Sequence, residues 1–427
     1  MEKFIINGGV PLNGELIPAG NKNAALPLLA ATLLTAEPVT LHNVPNILDV
    51  KAMLQLLQSL NVKIEQINQT SYRFDASDIR PANLDPNLCR QIRASILLAG
   101  PLISRVGELF LPPPGGDIIG RRRVDTHCLA FSRLGVKTNY VDHFFHFEAN
   151  SLSGADILMD EASVTATENA IMASVFAEGE TTIRNAASEP HIQELCHFLN
   201  QLGANISNIG SNTLKIHGVK ELKGGEFTIG PDYLEVVSFI GAALVTGGSI
   251  HIRNAGVKYL DMIQLVMNRL GVDWETHGDD IFVPQNQKLT IEPDLGNAIP
   301  EISVMPWPAF PTDLMSISIV IATQSKGSIL FHDWMYPSRM FFTDKLVSMG
   351  AQIVLCDPHR CIVQGPTQLT GEQLESPDIR AGMALVLAAL SAKGQSVIRN
   401  IAQIDRGYQD VDLKLKQLGA DIERLKD

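Results

Sequence analysis

Leu134-Gly135-Val136-Lys137 reads as a helix end, a left-handed turn and the first residues of a strand, and the chain repeats it five more times. The other copies are Leu60-Asn61-Val62-Lys63, Leu202-Gly203-Ala204-Asn205, Leu270-Gly271-Val272-Asp273, Met349-Gly350-Ala351-Gln352 and Leu418-Gly419-Ala420-Asp421. Counted from positions 60, 134, 202, 270, 349 and 418, neighbours lie 74, 68, 68, 79 and 69 residues apart. Self-similarity at a near-constant spacing marks a repeated structural unit. Glycine is the usual left-handed helix stop, and Asn61 is the next best residue for that conformation.

Two further elements recur with it. Val39-Thr40-Leu41-His42-Asn43, Thr181-Thr182-Ile183-Arg184-Asn185, Ser249-Ile250-His251-Ile252-Arg253-Asn254, Ser328-Ile329-Leu330-Phe331-His332-Asp333 and Ser396-Val397-Ile398-Arg399-Asn400 are β-rich and end in a turn residue. Helices apolar nearly all round are expected near residues 23–34, 93–104, 167–177, 234–245, 313–323 and 379–392. A helix without a polar face is buried. Each unit therefore reads as buried helix, strand, second helix, Leu-Gly stop and strand. The expected fold is α/β, with two domains of three units, helices inside and sheets around them. The first domain is placed at 22–232 and the second at 1–21 plus 233–427. The strand Phe4-Ile5-Ile6 is expected to pair with the C-terminal half.

Bulk properties narrow the function. The 427 residues are 45% hydrophobic and 19% charged, a composition that supports a large core. A net charge of −12 argues against nucleic acid or an acidic membrane as the main partner. Five cysteines with no CxxC pair read as reduced thiols of a cytoplasmic protein without a zinc site. The start, MEKFIINGG, has no apolar signal region. The longest apolar run, residues 24–34, is interrupted by Pro27 and falls short of the ~20 residues of a membrane span. Neither a Walker loop nor GxGxxG is present.

The second unit breaks the pattern. After Glu108-Leu109-Phe110 it carries LPPPGGDIIGRRR, residues 111–123. Proline and glycine clusters end regular structure, so this is a loop, and glycine hinges suit a lid. It sets Asp117 just ahead of Arg121, Arg122 and Arg123. The buried helices also begin with polar residues: Lys22 and Asn23, Arg93, Thr165 and Thr167, Asp232, Asp313, and Arg380. Helix starts concentrate N–H groups and partial positive charge, so these starts with Lys22, Arg93, Arg122, Arg339, Arg380 and Arg406 point to a small anionic substrate.

These residues carry a resemblance over the whole chain. Gly20-Asn21-Lys22-Asn23-Ala24-Ala25, Arg93-Ala94-Ser95, Pro114-Gly115-Gly116, Gly120 with Arg122, Val124-Asp125 with His127, Ser163-Val164, residues 186–190 (AASEP), Phe310-Pro311-Thr312-Asp313, Asp378-Ile379-Arg380-Ala381 and Ile404-Asp405-Arg406-Gly407-Tyr408 stand in matching order. The chain resembles the UDP-N-acetylglucosamine 1-carboxyvinyltransferases, enolpyruvyl transferases of bacterial peptidoglycan synthesis. The resemblance implies two inside-out α/β barrel domains of three repeats each. It implies transfer of the enolpyruvyl group of phosphoenolpyruvate to the 3-hydroxyl of UDP-N-acetylglucosamine with release of phosphate. No metal or redox cofactor is implied.

The resemblance also assigns roles. Lys22 and Asn23 meet phosphoenolpyruvate; Arg122 and Arg406 hold its phosphate, and Arg339 and Arg380 its carboxylate. Arginine forks suit both groups. Arg93, Arg122, Arg123, Val124, Asp125, Thr126, Ser163, Val164 and Met335 fall where the family contacts the nucleotide sugar. Asp313 accepts the proton of the sugar hydroxyl, and Asp117 takes the place of the loop acid, most often cysteine in the family. Fosfomycin alkylates that cysteine, so a carboxylate at 117 implies insensitivity. Departures at Asp232-Tyr233-Leu234-Glu235-Val236-Val237 and Tyr336-Pro337-Ser338-Arg339 leave open another uridine nucleotide acceptor, or a binding paralogue without catalysis. His127 reads as a core or capping histidine. Cys356 and Cys361 read as packed thiols, Trp307 and Trp334 as core anchors, and Lys51 as a solvated charge.

Overall fold

The computed structural model describes residues 2–80, 84–116 and 123–426. Within them the chain forms two compact units, one from residues 20–116 and 123–230, the other from residues 2–19 and 231–426. Each has its own core of buried apolar side chains. Among the described residues no helix is long and apolar enough to cross a membrane.

Three buried helices centre each unit: α1 (Lys22–Ala31), α2 (Ala99–Val106) and α3 (Val164–Ser174) in the first, α4 (Tyr233–Thr246), α5 (Met315–Gln324) and α6 (Ile379–Ser391) in the second. Side chains 233–244 of α4 and 379–390 of α6 are all buried. Helices this apolar must be wrapped on every side. Small residues set their spacing. A Cβ on Gly241 of α4 would stand 2.9 Å from Leu387 Cδ2 of α6 and 3.1 Å from Ile317 Cγ2 of α5. A Cβ on Gly100 of α2 would stand 2.8 Å from the Asn169 carbonyl oxygen of α3. Interiors packed at this density have no room for the extra carbon.

Two expected helices are composite. The 93–104 stretch is a 3-10 segment, Arg93–Leu98, followed by α2. Pro101 has no N–H to give the carbonyl four residues back, which favours the tighter turn before it. The 313–323 stretch begins as a 3-10 turn, Thr312–Leu314, before α5. The 167–177 helix lies three residues earlier, at Val164–Ser174.

The six stops behave alike: Asn61, Gly135, Gly203, Gly271, Gly350 and Gly419 all have φ between 68° and 107°. The asparagines that end the strands, Asn43, Asn185, Asn254 and Asn400, are left-handed too, with φ of 50° to 58°. Asparagine tolerates this conformation because its short side chain bonds nearby backbone.

Among the described residues five sheets have four strands each, built as a parallel strand, the strand after the buried helix, and an antiparallel pair that is a hairpin in four of them. In the third sheet of the second unit, Glu2–Asn7 pairs antiparallel with Gln395–Arg399 and Asp421–Lys426, so the N-terminus completes the sixth repeat. Two parallel strands are exchanged. Asn13–Leu16 precedes α1 yet pairs with Ser249–Ile252, while Gly225–Thr228 precedes α4 yet pairs with Val39–His42. The remaining sheet is the exception. Glu108–Leu111, Phe144–Glu148 and Lys137–Val141 form three strands with no parallel fourth among the described residues. Its first strand leads into the proline-glycine loop.

Candidate active site

The sequence-predicted residues fall into two sets, one in each unit. Asp117 and Arg122 lie outside the described residues. The approach to them is anchored. Gly115 N donates to Cys89 O at 3.1 Å, and a Cβ there would lie 1.7 Å from the Arg90 carbonyl oxygen. Gly115 is therefore a close-approach glycine rather than the hinge expected from its sequence, and Gly116, with φ of 103°, makes the turn.

In the first unit Lys22 opens α1. Asn21 caps that helix, its Oδ1 accepting from Asn23 N at 2.8 Å and Ala24 N at 3.3 Å. The cap fixes where Lys22 leaves the backbone. Lys22 Nζ meets Asp49 Oδ2 at 2.7 Å, both side chains nearly buried. Asp49 lies in the first turn of Leu48–Ser59, where a carboxylate suits the helix dipole.

The segment from Arg123 to Thr126 is laced together by one carboxylate. Asp160 Oδ2 accepts from Arg123 Nη2 at 3.0 Å and its Oδ1 from Thr126 Oγ1 at 2.7 Å. The Thr126 hydrogen bond, with a smaller contribution from Arg123, lowers the Asp160 pKa. Arg93 Nη2 donates to the Arg123 carbonyl at 2.7 Å, and Arg123 Nε lies 3.8 Å from Asp125 Oδ2. Val124 precedes the helix Asp125–Arg133, and Ser163 with Val164 begins α3. Arg93, Arg123, Val124, Asp125 and Thr126 are thus brought together, with Asp160 carrying the chain towards Ser163 and Val164.

His127 stands behind them, buried. Asn169 Nδ2 lies 2.9 Å from Nδ1 and Thr165 Oγ1 3.2 Å from Nε2. Burial, then the charge of Arg93, pushes its pKa down to about 3. A neutral, fully packed ring is a core histidine, as its sequence suggests.

In the second unit Asp313 is the centre. Its Oδ1 accepts from Arg339 Nη2 at 3.0 Å and its Oδ2 from Arg380 Nε at 3.2 Å. The guanidiniums are 3% and 6% exposed, and the carboxylate 28%. Burial works most strongly against both arginine charges, but Asp313 together with Asp378 and Asp333 at Arg339, and with Tyr408 and Asp232 at Arg380, raises both pKa values. Arg380 Nη1 is buried with no hydrogen-bond partner among the described residues. Arg339 Nε is buried in the same way, and each orphaned donor costs about 1–3 kcal/mol unless an acceptor reaches it.

Neighbouring elements fix these groups. Asp378 caps α6, accepting from Arg380 N at 2.9 Å and Ala381 N at 3.0 Å. Tyr408 lies under the Arg380 guanidinium, 5.5 Å from ring centre to Cζ, with its hydroxyl 2.9 Å from Ser238 Oγ. Asp333, fully buried, accepts from Thr312 Oγ1 at 2.6 Å, Met335 N at 3.0 Å and Tyr336 N at 3.2 Å. That turn sets Met335 and the Tyr336 ring, over which Arg339 sits at 5.3 Å. Arg406 follows the short helix Ala402–Asp405 and donates from Nη1 to Gln403 Oε1 at 2.9 Å.

Asp49, Asp160 and Asp333 were not singled out from sequence. Asp333 left a signal: it stands where four other repeats carry a left-handed asparagine, and it lacks that conformation. Two bland expectations are corrected. Cys361 is packed, but Cys356 is exposed on the strand Gln352–Asp357. Trp334 is half exposed, held by Nε1 donating to Val304 O at 2.7 Å, and is no core anchor.

The chain matches the family model described as EPSP synthase (3-phosphoshikimate 1-carboxyvinyltransferase) over residues 6–415. It is 51% identical over 423 residues to the UDP-N-acetylglucosamine 1-carboxyvinyltransferase of Treponema denticola, covering 99% of each chain. It is 53% identical over 423 residues to the protein of that name from Bradyrhizobium diazoefficiens, covering 99% of this chain and 98% of the relative. Among solved structures it is similar to the enolpyruvyl transferase NikO from Streptomyces tendae, with a TM-score of 0.89 at 24% identity over 100% of this chain and 99% of that one. That likeness bears on the fold: two inside-out α/β barrels of three repeats.

Proposed function

We propose how this chain, which belongs to the UDP-N-acetylglucosamine 1-carboxyvinyltransferases of the EPSP synthase family, divides its reaction among its residues. The enzyme transfers the enolpyruvyl group of phosphoenolpyruvate to the 3-hydroxyl of UDP-N-acetylglucosamine, releasing phosphate, the first committed step of peptidoglycan synthesis. A proton is added to the methylene carbon of phosphoenolpyruvate, and positive charge develops on the adjacent carbon. The sugar hydroxyl attacks that carbon as Asp313 takes its proton. The tetrahedral adduct then loses phosphate from the attacked carbon and a proton from the new methyl group. Such a sequence needs a positioned acid and a positioned base.

Asp117 is assigned the acid. Its ordinary pKa of ~3.9 requires a raised value for that task near neutrality. Lys22, Asn23, Arg122 and Arg406 receive the phosphate, stabilising charge as it leaves. Arg339 and Arg380 receive the carboxylate. Arg93, Arg123, Val124, Asp125, Thr126, Ser163, Val164 and Met335 receive the nucleotide sugar. The observation that carries this reading is the Asp313 carboxylate gripped by two buried guanidiniums, each with a buried donor that has no hydrogen-bond partner among the described residues. It joins a base to an anion receptor in one cluster, which a pure nucleotide binder has no use for. The domains are assigned as 22–232 and 1–21 plus 233–427, and the reaction to the cytoplasm, without nucleic acid or membrane partners.

The test is product mass. Purified protein with both substrates converts the nucleotide sugar to a species heavier by one enolpyruvyl group. An unchanged nucleotide sugar beside a different, converted uridine nucleotide moves the acceptor; no conversion of any acceptor overturns the enzyme.

A further inference from the structure

Arg424 lies on the C-terminal strand Asp421–Lys426, opposite Phe4 of Glu2–Asn7. Every N–H of its guanidinium is used. Nη1 and Nη2 donate to the two oxygens of Asp405 at 2.9 and 2.8 Å. Nη2 and Nε donate to the two oxygens of Asp412 at 2.9 and 3.3 Å. The last Nη1 donor goes to Glu2 Oε2 at 2.9 Å. The group is only 26% exposed, and the Phe4 ring lies 5.0 Å beneath it.

Its two bidentate partners have a particular place in the chain. Asp405 ends the helix Ala402–Asp405, directly before Arg406. Asp412 lies in the first turn of Val411–Gln417. The segment 406–411 between them carries Arg406, Tyr408 beneath Arg380, and the left-handed Asp410, with φ of 49°. A non-glycine residue in that conformation is strained and persists only where its surroundings enforce it. Pinning both ends of so short a segment to one rigid fork enforces it.

We infer that Arg424 is a positioning residue for phosphoenolpyruvate, holding the 406–411 segment so that Arg406 and Tyr408 present a fixed anion-receiving surface. The inference rests on the assignment of Arg406 to the phosphate made above. Lysine keeps the charge but cannot form two bidentate pairs, so Arg424→Lys isolates the fork geometry from net charge.

The experiment is steady-state kinetics of wild type, Arg424→Lys, Arg406→Lys and the double variant, varying each substrate in turn. Arg424→Lys lowers kcat/KM for phosphoenolpyruvate about tenfold, chiefly through KM, and leaves KM for the nucleotide sugar unchanged. Added to Arg406→Lys it costs little more, because the fork acts through Arg406. A merely structural role lowers the active fraction, reducing kcat with both KM values unchanged, and its effect multiplies with that of Arg406→Lys; that result overturns the inference. If Arg424→Lys does not fold, Asp412→Asn, which releases one end of the segment, is read by the same criteria. Wild type without turnover overturns the underlying assignment instead.

Discussion

Replacing Asp313 by asparagine separates the two things this carboxylate does. It accepts one hydrogen bond from each of two buried guanidiniums, Arg339 at 3.0 Å and Arg380 at 3.2 Å. Asparagine keeps one acceptor oxygen and turns an NH2 towards the second guanidinium. One charge-assisted bond, worth about 1.5–3 kcal/mol, is lost. With the carboxylate 28% exposed, solvent offsets part of the loss, and the expected cost is about 2 kcal/mol. For a domain of this size each kcal/mol shifts Tm by ~2–4 °C, so Tm falls about 4–8 °C. The chemical cost is larger. A positioned general base contributes about 10²–10⁴-fold, and asparagine has no proton-accepting carboxylate, so kcat falls about a thousandfold. The assay pairs phosphate release with thermal unfolding on the same samples, below the Tm of the variant. A kcat within tenfold of wild type refutes Asp313 as the base. An unchanged Tm with lost activity refutes the clamp while leaving the base in place.

Three other perturbations have defined outcomes. His127 has a folded pKa of about 3, below its ordinary 6.5, so its contribution is fully present above pH 6.5 and is lost as pH falls towards 3. Urea unfolding across that range shows a flatter acid limb for His127→Gln, by on the order of a few kcal/mol, and parallel limbs contradict the buried neutral ring. Asp160→Asn weakens the ties to Arg123 and Thr126, raising KM for the nucleotide sugar about fivefold with KM for phosphoenolpyruvate unchanged; equal effects on both substrates contradict its place in the nucleotide segment. Fosfomycin produces no time-dependent inactivation of the wild type, because a carboxylate at 117 offers no thiol to alkylate; loss of activity that survives washing out the compound contradicts this.

The repeat was legible because it is written in local chemistry. A Leu-Gly stop needs a left-handed residue, and a helix apolar on all sides can only be inside, so spacing and composition yield the unit and its count. The strand at Phe4 was legible for the same reason: the sixth repeat is one strand short without it. The exchange of Asn13–Leu16 and Gly225–Thr228 between sheets was not, since neither strand differs in kind from its counterparts. In the site, the basic and acidic groups assigned to ligand came from a resemblance of motifs, whereas their partners were missed. Asp49, Asp160 and Arg424 act through side chains distant in sequence, and a solvated charge has the same letter as a buried one. Cys356 shows the limit from the other side, because strand membership does not say which face a thiol takes.

Phosphate release from phosphoenolpyruvate, measured with and without UDP-N-acetylglucosamine in wild type and Asp117→Asn, tests the whole assignment most directly. Release that requires the nucleotide sugar and collapses in the variant is the expected result. Release independent of the nucleotide sugar, or full activity in the variant, contradicts it.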